Sequence, residues 1–218
     1  MKKIQAILFD FDGTLVNTAP GIVATMTEVF KRMGVDVPTE EAMRATIGIP
    51  LGPALSQLAG FNEEQEREAV ELYRQLFVEY ELSNLDVYPH VMETLKALKE
   101  NDIRMAIVTS RDSSSLRLIM EPRGMHTYFE TMVTASDGLR PKPAPDPVLA
   151  LLQRMDISYQ ETLVVGDTTY DIGMGNNANC RTCAVTYGNH TAAQLAESNP
   201  THVISDFRDL LIISGIEA

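Results

Sequence analysis

The stretch ILFDFDGTLVNT, residues 7–18, decides the fold of this chain. An apolar run typical of a buried strand ends in Asp10 and Asp12, and Gly13 follows at once. In an extended strand, residues two apart point to the same side, so the two carboxylates would share one face. A lone motif of this kind is usually a solvated turn. Like charges at one strand end repel each other unless a ligand lies between them, so their role depends on what else reaches the same edge.

Short β-rich runs recur along the chain and alternate with helical patterns. We predict strands at 4–9, 104–110, 131–136, 162–167, 181–187 and 202–205. We predict helices between the later strands at 91–100, 113–120, 146–155, 170–178 and 192–197. Near-continuous apolar strands that alternate with helices indicate a parallel sheet covered on both faces. The predicted fold class is therefore α/β, a Rossmann-like doubly wound parallel sheet.

Residues 16–86 interrupt this alternation, because they contain no convincing strand. Helical spacing of apolar residues predicts four helices instead, at 22–33, 38–47, 53–59 and 63–80. Their apolar stripes indicate core packing. We therefore predict an α/β core domain over 1–15 and 87–218, with a small α-helical domain over 16–86 inserted after the first strand.

Composition limits the classes of partner. The formal net charge is −12, whereas nucleic acid polymers and anionic membranes bind basic surfaces. Acids interrupt the start MKKIQAILFD too early for a signal peptide, and no run approaches the roughly 20 apolar residues of a transmembrane helix. We expect a cytoplasmic protein, a monomer or homodimer. Cys180 and Cys183 run into a strand pattern, which favours a buried structural pair over a redox or metal pair.

The carboxyl ends of the predicted strands carry the residues with reactive chemistry. In a parallel sheet, ligands bind outside these ends, so the residues there are expected to converge on one edge. They are Asp10 and Asp12 after the first strand, Thr109, Ser110 and Arg111 after the second, Lys142 in SDGLRPKPAPDP (136–147) after the third, and Asp167 and Asp171 in GDTTYD (166–171) after the fourth.

Asp10 is the candidate nucleophile. A carboxylate can attack phosphorus and form an aspartyl-phosphate, which divides one difficult displacement into two easier ones. Nucleophile and phosphoryl group are both anionic, so a divalent cation must offset their repulsion. Mg²⁺ prefers oxygen ligands, which Asp10 and Asp167 would supply from two strand ends. Asp171 can support the metal through water or pair with Lys142.

The remaining residues complete a phosphoryl-transfer site. Asp12 can protonate the leaving oxygen and later deprotonate water. Thr109 and Ser110 can donate hydrogen bonds to phosphate oxygens, and Lys142 can neutralise developing charge. A helix that begins near residue 113 would direct its positive N-terminal end at the same edge. No one of these motifs is specific alone, but their joint occurrence at strand ends is.

Taken together, the motifs resemble those of the haloacid dehalogenase-like superfamily of phosphatases. FDFDGTL, VTSR, PKPAPDP and GDTTYD are similar to its four motifs, in the same order and over nearly the whole chain. The resemblance implies the following roles: Asp10 as nucleophile, Asp12 as acid/base with a backbone carbonyl on the metal, Thr109 for phosphate binding, Lys142 as the third-motif lysine, Asp167 as metal ligand and Asp171 as its support. The acid at position 12 implies phosphoryl transfer, since dehalogenating members lack it.

The helical insertion is similar to the small cap of the phosphoglycolate phosphatase and β-phosphoglucomutase branch. The resemblance implies a lid that closes to exclude water, with hinges near 16–20 and 83–88. RATIGIPLG, residues 44–52, lies where such caps present a specificity loop, which implicates Gly48. We hypothesise that Arg44 reaches an anionic group on the leaving portion of the substrate; the alternative is a helix-surface arginine.

The predicted function is that of a Mg²⁺-dependent phosphatase acting on a small phosphorylated metabolite, similar to phosphoglycolate phosphatase. Pyrophosphate or a nucleoside monophosphate would use the same core, and a sugar phosphomutase would differ only in cap geometry. A phosphate-accepting receiver domain is disfavoured, because its acceptor would lie on the first strand with a helical insertion directly after it. A catalytically silent binding protein is disfavoured because Asp10, Asp12, Lys142 and Asp167 are all present.

Overall fold

The strands and helices are taken from a computed structural model, which describes residues 2–82 and 85–216. Eight strands lie within these residues: Ala6–Phe9 (β1), Val16–Asn17 (β2), Asp86–Val87 (β3), Arg104–Val108 (β4), Thr131–Val133 (β5), Thr162–Gly166 (β6), Arg181–Val185 (β7) and His202–Ile204 (β8). Ten α-helices lie within the same residues: Ala19–Arg32 (α1), Glu40–Arg44 (α2), Leu51–Ala59 (α3), Glu63–Tyr80 (α4), Val91–Glu100 (α5), Ser113–Met120 (α6), Asp146–Met155 (α7), Thr169–Asn177 (α8), Ala192–Glu197 (α9) and Asp209–Ile213 (α10).

Six strands form one parallel sheet in the order β5-β4-β1-β6-β7-β8. Strand order reverses on either side of β1, and a crevice for ligands forms at such a switch point, outside the carboxyl ends of the strands. The predicted fold class, α/β with a doubly wound parallel sheet, is confirmed.

The central strand β1 is buried on both faces, which explains its unbroken apolar sequence. Ile7 and Phe9 pack with apolar residues of α5, α6 and α10 on one side of the sheet. Ala6 and Leu8 pack with residues of α7 and α8 on the other side. All four side chains are fully buried, so the position of this strand, and of the acids that follow it, is firmly fixed.

The register of the sheet places the carboxyl ends of three strands at the same level. Phe9, the last residue of β1, is aligned with Ile107 of β4 and with Val165 of β6. The residues that follow these strands therefore meet above the same edge. They are Asp10 after β1, Thr109 after β4 and Asp167 after β6.

Helices α1–α4, here called the helical lobe, follow the first strand. Their apolar residues form a cluster of their own, in which Val29, Phe30 and Leu55 are fully buried. The lobe is joined to the sheet by two short strands, because β2 pairs with β3 in antiparallel register. The expectation that residues 16–86 contain no strand is therefore wrong: two-residue strands are too short to show an alternating pattern in sequence.

The sequence also failed to predict α10, whose five residues are too few for a helical period to be recognised. Its Leu210 belongs to the main core. Of the expected hinges, residues 83 and 84 lie outside the described residues. Within the described part of the chain, no helix combines the length and the apolar character that a membrane crossing would require.

Candidate active site

Asp10 lies at the carboxyl end of β1 in a buried cluster of acids around one lysine. The Lys142 ammonium donates hydrogen bonds to Asp10 Oδ1 at 2.5 Å and to Asp171 Oδ1 at 2.6 Å. Carboxylate oxygens of Asp10, Asp167 and Asp171 all lie within 4.8 Å of one another. We call these four residues the acidic centre. All of them are buried, so water screens their charges little.

Burial and mutual repulsion act on the ionisation of this centre. The pKa of Asp10 is raised well above its usual value, first by burial and then by neighbouring carboxylates, although Lys142 opposes the shift. Burial and Asp171 likewise raise the pKa of Asp167. The pKa of Lys142 is raised because Asp10 and Asp171 outweigh the effect of burial. Three carboxylates share one ammonium, so the centre has an excess of negative charge that a cation would relieve.

One oxygen of the acidic centre has no partner in the described part of the chain. Asp10 Oδ2 is buried and accepts no hydrogen bond. An unsatisfied buried carboxylate oxygen is costly, so this atom is expected to meet a ligand. Both oxygens of Asp171, by contrast, are engaged: Oδ1 by Lys142, and Oδ2 by the backbone amide and hydroxyl of Thr168 at the start of α8.

The donor set of the centre suits Mg²⁺. Asp167 is held from two sides: the Thr14 hydroxyl donates to Oδ1 at 2.9 Å, and the Asn189 backbone amide donates to Oδ2 at 2.7 Å. The Asn189 side-chain amide lies 2.9 Å from Asp167 Oδ2 and 3.5 Å from the backbone carbonyl oxygen of Asp12. The same amide group therefore lies beside both oxygens, and Asp167 is also close to Asp10. An all-oxygen set of carboxylates and one carbonyl is the kind that Mg²⁺ prefers.

The carboxylate of Asp12 pairs with Arg111 and not with Lys142. Arg111 donates two hydrogen bonds to the Asp12 carboxylate, one from Nε at 3.1 Å and one from Nη2 at 2.6 Å. The same guanidinium also contacts Glu81, at the end of α4, and the Tyr73 hydroxyl donates to Glu81 at 2.7 Å. Glu81 and Arg111 are both buried, so an arginine shared between two carboxylates links the sheet edge to the helical lobe.

Thr109 and Ser110 follow β4 at the same edge. Thr109 Oγ1 accepts the backbone amide of Arg111 at 3.1 Å, which leaves its hydroxyl proton available to donate. The Ser110 hydroxyl is already engaged, because it donates to the backbone carbonyl of Gly48 at 2.7 Å. Ser110 thus forms a direct contact between the sheet edge and the helical lobe.

The expected helix N-terminus is present but is partly neutralised. Helix α6 begins at Ser113, as predicted, yet Asp112 caps it. The Asp112 carboxylate accepts the backbone amides of Ser114 and Ser115, which are two of the donors that a phosphate would have used. The helix therefore offers less positive potential to a ligand than its position alone suggests.

The two predicted specificity residues lie in different surroundings. Gly48 has φ of +109°, a backbone conformation that residues with a side chain disfavour. It lies beside Thr168 and Tyr170, where the lobe meets the core. Arg44 pairs with Glu40 one turn earlier, at 2.9 Å, and it is not among the described residues that line the cavity. This arrangement is that of the alternative, a helix-surface arginine, and the substrate contact of Arg44 stays a prediction.

A cavity of about 390 Å³ opens between the helical lobe and the sheet edge. Buried Asp10 and Thr109 line its inner end, together with Asp12. Exposed Val78 and Leu118 line its mouth. This size lies within the range of about 300–1,000 Å³ that is typical of small-molecule sites.

Sequence reasoning missed three residues of this site: Glu81, Tyr73 and Asn189. Arg111 was expected at this edge of the sheet, although its partners were not predicted. Glu81 and Tyr73 belong to a helix whose stripe indicated only packing. Asn189 lies in a loop after β7, where no motif marks it.

Both cysteines are free and buried. Burial raises the pKa of each thiol to about 12. Little reactive thiolate forms at such a pKa, so both cysteines are inert structural residues. The expected buried pair is thus found without a disulfide.

Comparison with known proteins gives a consistent result. Residues 7–185 match the family model of haloacid dehalogenase-like hydrolases. The chain is 34% identical to "Probable phosphatase IndB" of Dickeya dadantii, over 94% of this chain and 91% of that protein. It is 32% identical to pyrophosphatase PpaX of Bacillus velezensis, over 99% of each. The crystal structure of a protein from Haemophilus somnus, described as a predicted phosphoglycolate phosphatase, superposes with a TM-score of 0.88 at 27% identity and covers 98% of this chain and 99% of its own.

Proposed function

The chain belongs to the haloacid dehalogenase-like hydrolases and is a phosphatase of that family, and from this premise we propose that it hydrolyses a small phosphorylated metabolite with Mg²⁺ through an aspartyl-phosphate on Asp10. The observation that carries the proposal is the unpartnered Oδ2 of Asp10. This buried oxygen belongs to a residue at the inner end of a cavity, beside a lysine whose charge favours the ionised carboxylate.

Asp10 supplies the nucleophilic oxygen. As the bond from Asp10 to phosphorus forms, the bond from phosphorus to the leaving oxygen breaks. Lys142 orients Asp10 through Oδ1 and is itself oriented by Asp171. Asp171 thus acts through Lys142, and we assign it a positioning role.

Asp10, Asp167 and the backbone carbonyl of Asp12 would hold Mg²⁺. When bound, the ion would offset the negative charge of the nucleophile and of the phosphoryl group. Thr14 and Asn189 would keep Asp167 in place through the hydrogen bonds they donate to its two oxygens. Thr109 and Ser110 would donate to the phosphoryl oxygens, and Ser110 must first release Gly48.

Asp12 moves the protons of both half-reactions. It gives a proton to the leaving oxygen in the first, and it takes one from the water that hydrolyses the aspartyl-phosphate in the second. Arg111 fixes the direction of the Asp12 carboxylate, while Glu81 shares the positive charge of Arg111. We assign Arg111 and Glu81 positioning roles.

We propose further that residues 16–86 form a cap over a core of residues 1–15 and 87–218. The separate apolar cluster of the helical lobe supports this division. So does the pairing of β2 with β3, through which the chain leaves the core and returns to it. Such a cap would exclude water from the acidic centre when it closes.

Two substrates are suggested by the names of the similar proteins: pyrophosphate by PpaX, and phosphoglycolate by the Haemophilus somnus protein. Pyrophosphate hydrolysis is the second candidate function, because the likeness to PpaX extends over 99% of the chain. Both substrates would use the same nucleophile and the same metal site.

The experiment that tests the proposal is phosphate release by the purified protein from a panel of phosphate compounds, with Mg²⁺ and with excess EDTA. We expect release with Mg²⁺ and loss of release with EDTA that added Mg²⁺ reverses. Trapping at low pH should add the mass of one phosphoryl group to the peptide that contains Asp10. Release that is unaffected by EDTA, or a phosphoryl group on another residue, would contradict the proposal.

A further inference from the structure

We infer that the natural substrate is a phosphomonoester whose leaving alcohol is uncharged and largely apolar. The inference rests on the proposed phosphatase function and deepens it, because it assigns the chemical class of the group that occupies the cavity. It comes from the walls of the cavity and from the charges at its inner end.

The walls of the cavity beyond the acidic centre are mainly apolar. The lobe contributes residues of α1, α3, α4 and the loop before α3, and the core contributes residues of α6. Representative side chains are Ile22, Met26, Ile49, Leu51, Val70 and Leu118. An alcohol with an apolar body would remove these surfaces from water as well as its own, and such burial is favourable in proportion to its area.

The inner end of the cavity gives little support to a second anion. Pyrophosphate carries its second phosphoryl group, and phosphoglycolate its carboxylate, only a few bonds from the reacting phosphorus. Among the described residues that line this inner end, the cationic side chain is that of Arg111. The carboxylates of Asp12 and Glu81 already share it. A further anion would have to displace one of these buried partners, which leaves a buried charge unpaired.

A second cation, Arg74, lines the cavity but is exposed on α4. An exposed arginine is well hydrated, so it gains little by pairing with an anion. It follows that charge recognition is concentrated on the single phosphoryl group, and that the rest of the substrate is recognised by apolar contact.

The size of the cavity agrees with this assignment. At about 390 Å³ it falls in the range of sites for small organic ligands, which bury most of the ligand surface. Pyrophosphate would occupy only the polar end and would leave the apolar walls in contact with water. An aromatic or branched alkyl group would fill the remaining space.

The test compares kcat/KM for phosphate esters of primary alcohols of similar acidity, so that intrinsic reactivity is nearly constant. Ethyl, n-butyl and 2-phenylethyl phosphate form the apolar series, and phosphoglycolate and pyrophosphate are the anionic competitors. We expect kcat/KM to rise at least roughly tenfold from ethyl to 2-phenylethyl phosphate, since one methylene in an apolar pocket is worth about tenfold or more. We expect both anionic compounds to fall below 2-phenylethyl phosphate.

A matched pair of variants locates the effect. Leu118 and Leu149 are each 48% exposed, but only Leu118 lines the cavity. Leu118→Ala should lower kcat/KM for 2-phenylethyl phosphate roughly threefold to tenfold and leave ethyl phosphate nearly unchanged. Leu149→Ala should change neither.

The outcomes separate the inference from the proposed function. If pyrophosphate or phosphoglycolate is turned over best in a Mg²⁺-dependent reaction, the inference is overturned while the phosphatase stands. Equal losses in Leu118→Ala and Leu149→Ala would overturn it as well. If no compound releases phosphate with Mg²⁺, the proposed function fails and the inference fails with it.

Discussion

Asp10 and Asp12 are separated by one residue, yet they lie in two different regions of the molecule. Asp10 belongs to the acidic centre, in which three carboxylates share one lysine and one oxygen has no partner. Asp12 belongs to the seam between core and lobe, by which we mean Asp12, Arg111, Glu81 and Tyr73, where one arginine is shared by the carboxylates of Asp12 and Glu81. The first region has three carboxylates for one cation, whereas the second has two, and both of these contact the arginine directly.

The difference supports the two roles that we propose for these carboxylates. A carboxylate among others of like charge needs a cation and would be suited to attack phosphorus once the cation is present. A carboxylate that is held by an arginine is oriented, as the proton transfer proposed for Asp12 requires. Turning the chain at Gly13, directly after Asp12, is part of this separation, since its φ of +89° is one that glycine adopts readily.

The largest expected effect comes from removing the nucleophile. Asp10→Asn should lower kcat by on the order of 10⁴-fold or more, as loss of an essential nucleophile does. Its fold should persist, because Lys142 keeps Asp171 as a partner. Phosphate release and circular dichroism of the purified variant measure the two effects. A variant that retains more than about a tenth of the normal rate would show that Asp10 is not the nucleophile.

The next effect tests the seam. Glu81→Gln removes the buried carboxylate that accepts from Arg111 and Tyr73 while Arg111 keeps Asp12, and loss of a hydrogen bond to a charged group costs roughly 1.5–3 kcal/mol. We expect the free energy of unfolding to fall by that amount in urea titrations, and kcat to fall because Asp12 is less well positioned. Glu28→Gln is the matched control, since Glu28 pairs with Arg32 on an exposed helix surface.

That control should lose far less stability, because solvent screens an exposed pair. Equal losses in Glu81→Gln and Glu28→Gln would mean that the seam is not held by buried charge. Normal kcat in Glu81→Gln at unchanged substrate affinity would remove the positioning role from Glu81.

A smaller effect is expected where the lobe touches Ser110, to which we assign phosphate binding. Gly48→Ala places a side chain on a backbone with φ of +109°, about 3.2 Å from Thr168, and such strain costs roughly 1–3 kcal/mol. Because Gly48 accepts the Ser110 hydroxyl, KM should rise by more than loss of stability alone explains. Gly34→Ala is the control, since Gly34 also has a positive φ but has open space around it. An equal rise of KM in both variants would exclude a specific role for this contact.

The smallest effect concerns the two buried thiols. Burial raises the pKa of Cys180 and Cys183 to about 12, above the usual value of 9.0. Below pH 9 both thiols are protonated whether the chain is folded or unfolded. Between pH 9 and 12 the unfolded chain loses these protons first, so the folded state loses stability as the pH rises.

Replacing both cysteines with alanine should therefore make the fall of Tm between pH 8 and pH 11 less steep. At pH 8, alkylation of the native thiols should be at least roughly tenfold slower than in urea, because little thiolate is present. An unchanged pH dependence of Tm together with rapid alkylation would contradict the burial of these thiols.

The acidic centre was largely predictable from the sequence, and its predictability has a physical cause. Parallel strands buried on both faces need continuous apolar runs, so β1, β4 and β6 are visible in sequence, and their carboxyl ends must meet. The positions of Asp10, Lys142 and Asp167 follow from that requirement. Their chemical roles remain predictions that the variants above would test.

The seam was not predictable, because it combines residues whose contacts follow from tertiary structure alone. Arg111 stands 99 residues from Asp12 and 30 from Glu81 along the chain. Nothing in the period of α4 separates Tyr73, which hydrogen bonds to Glu81, from its packing neighbours. Arg44 shows the opposite case: its position near the expected specificity loop suggested a substrate contact, but Glu40 at the preceding turn is its nearer partner.

The pairing of β2 with β3 brings together the two points at which the chain leaves and re-enters the core. A segment whose ends are neighbours can be exchanged for one of another length without stretching the backbone around it. Asp10 and Lys142, to which we assign the chemistry, stand on one side of that junction, and most of the apolar residues that line the cavity stand on the other. We therefore expect that selectivity can be inherited, lost or replaced with the lobe while the acidic centre stays in place.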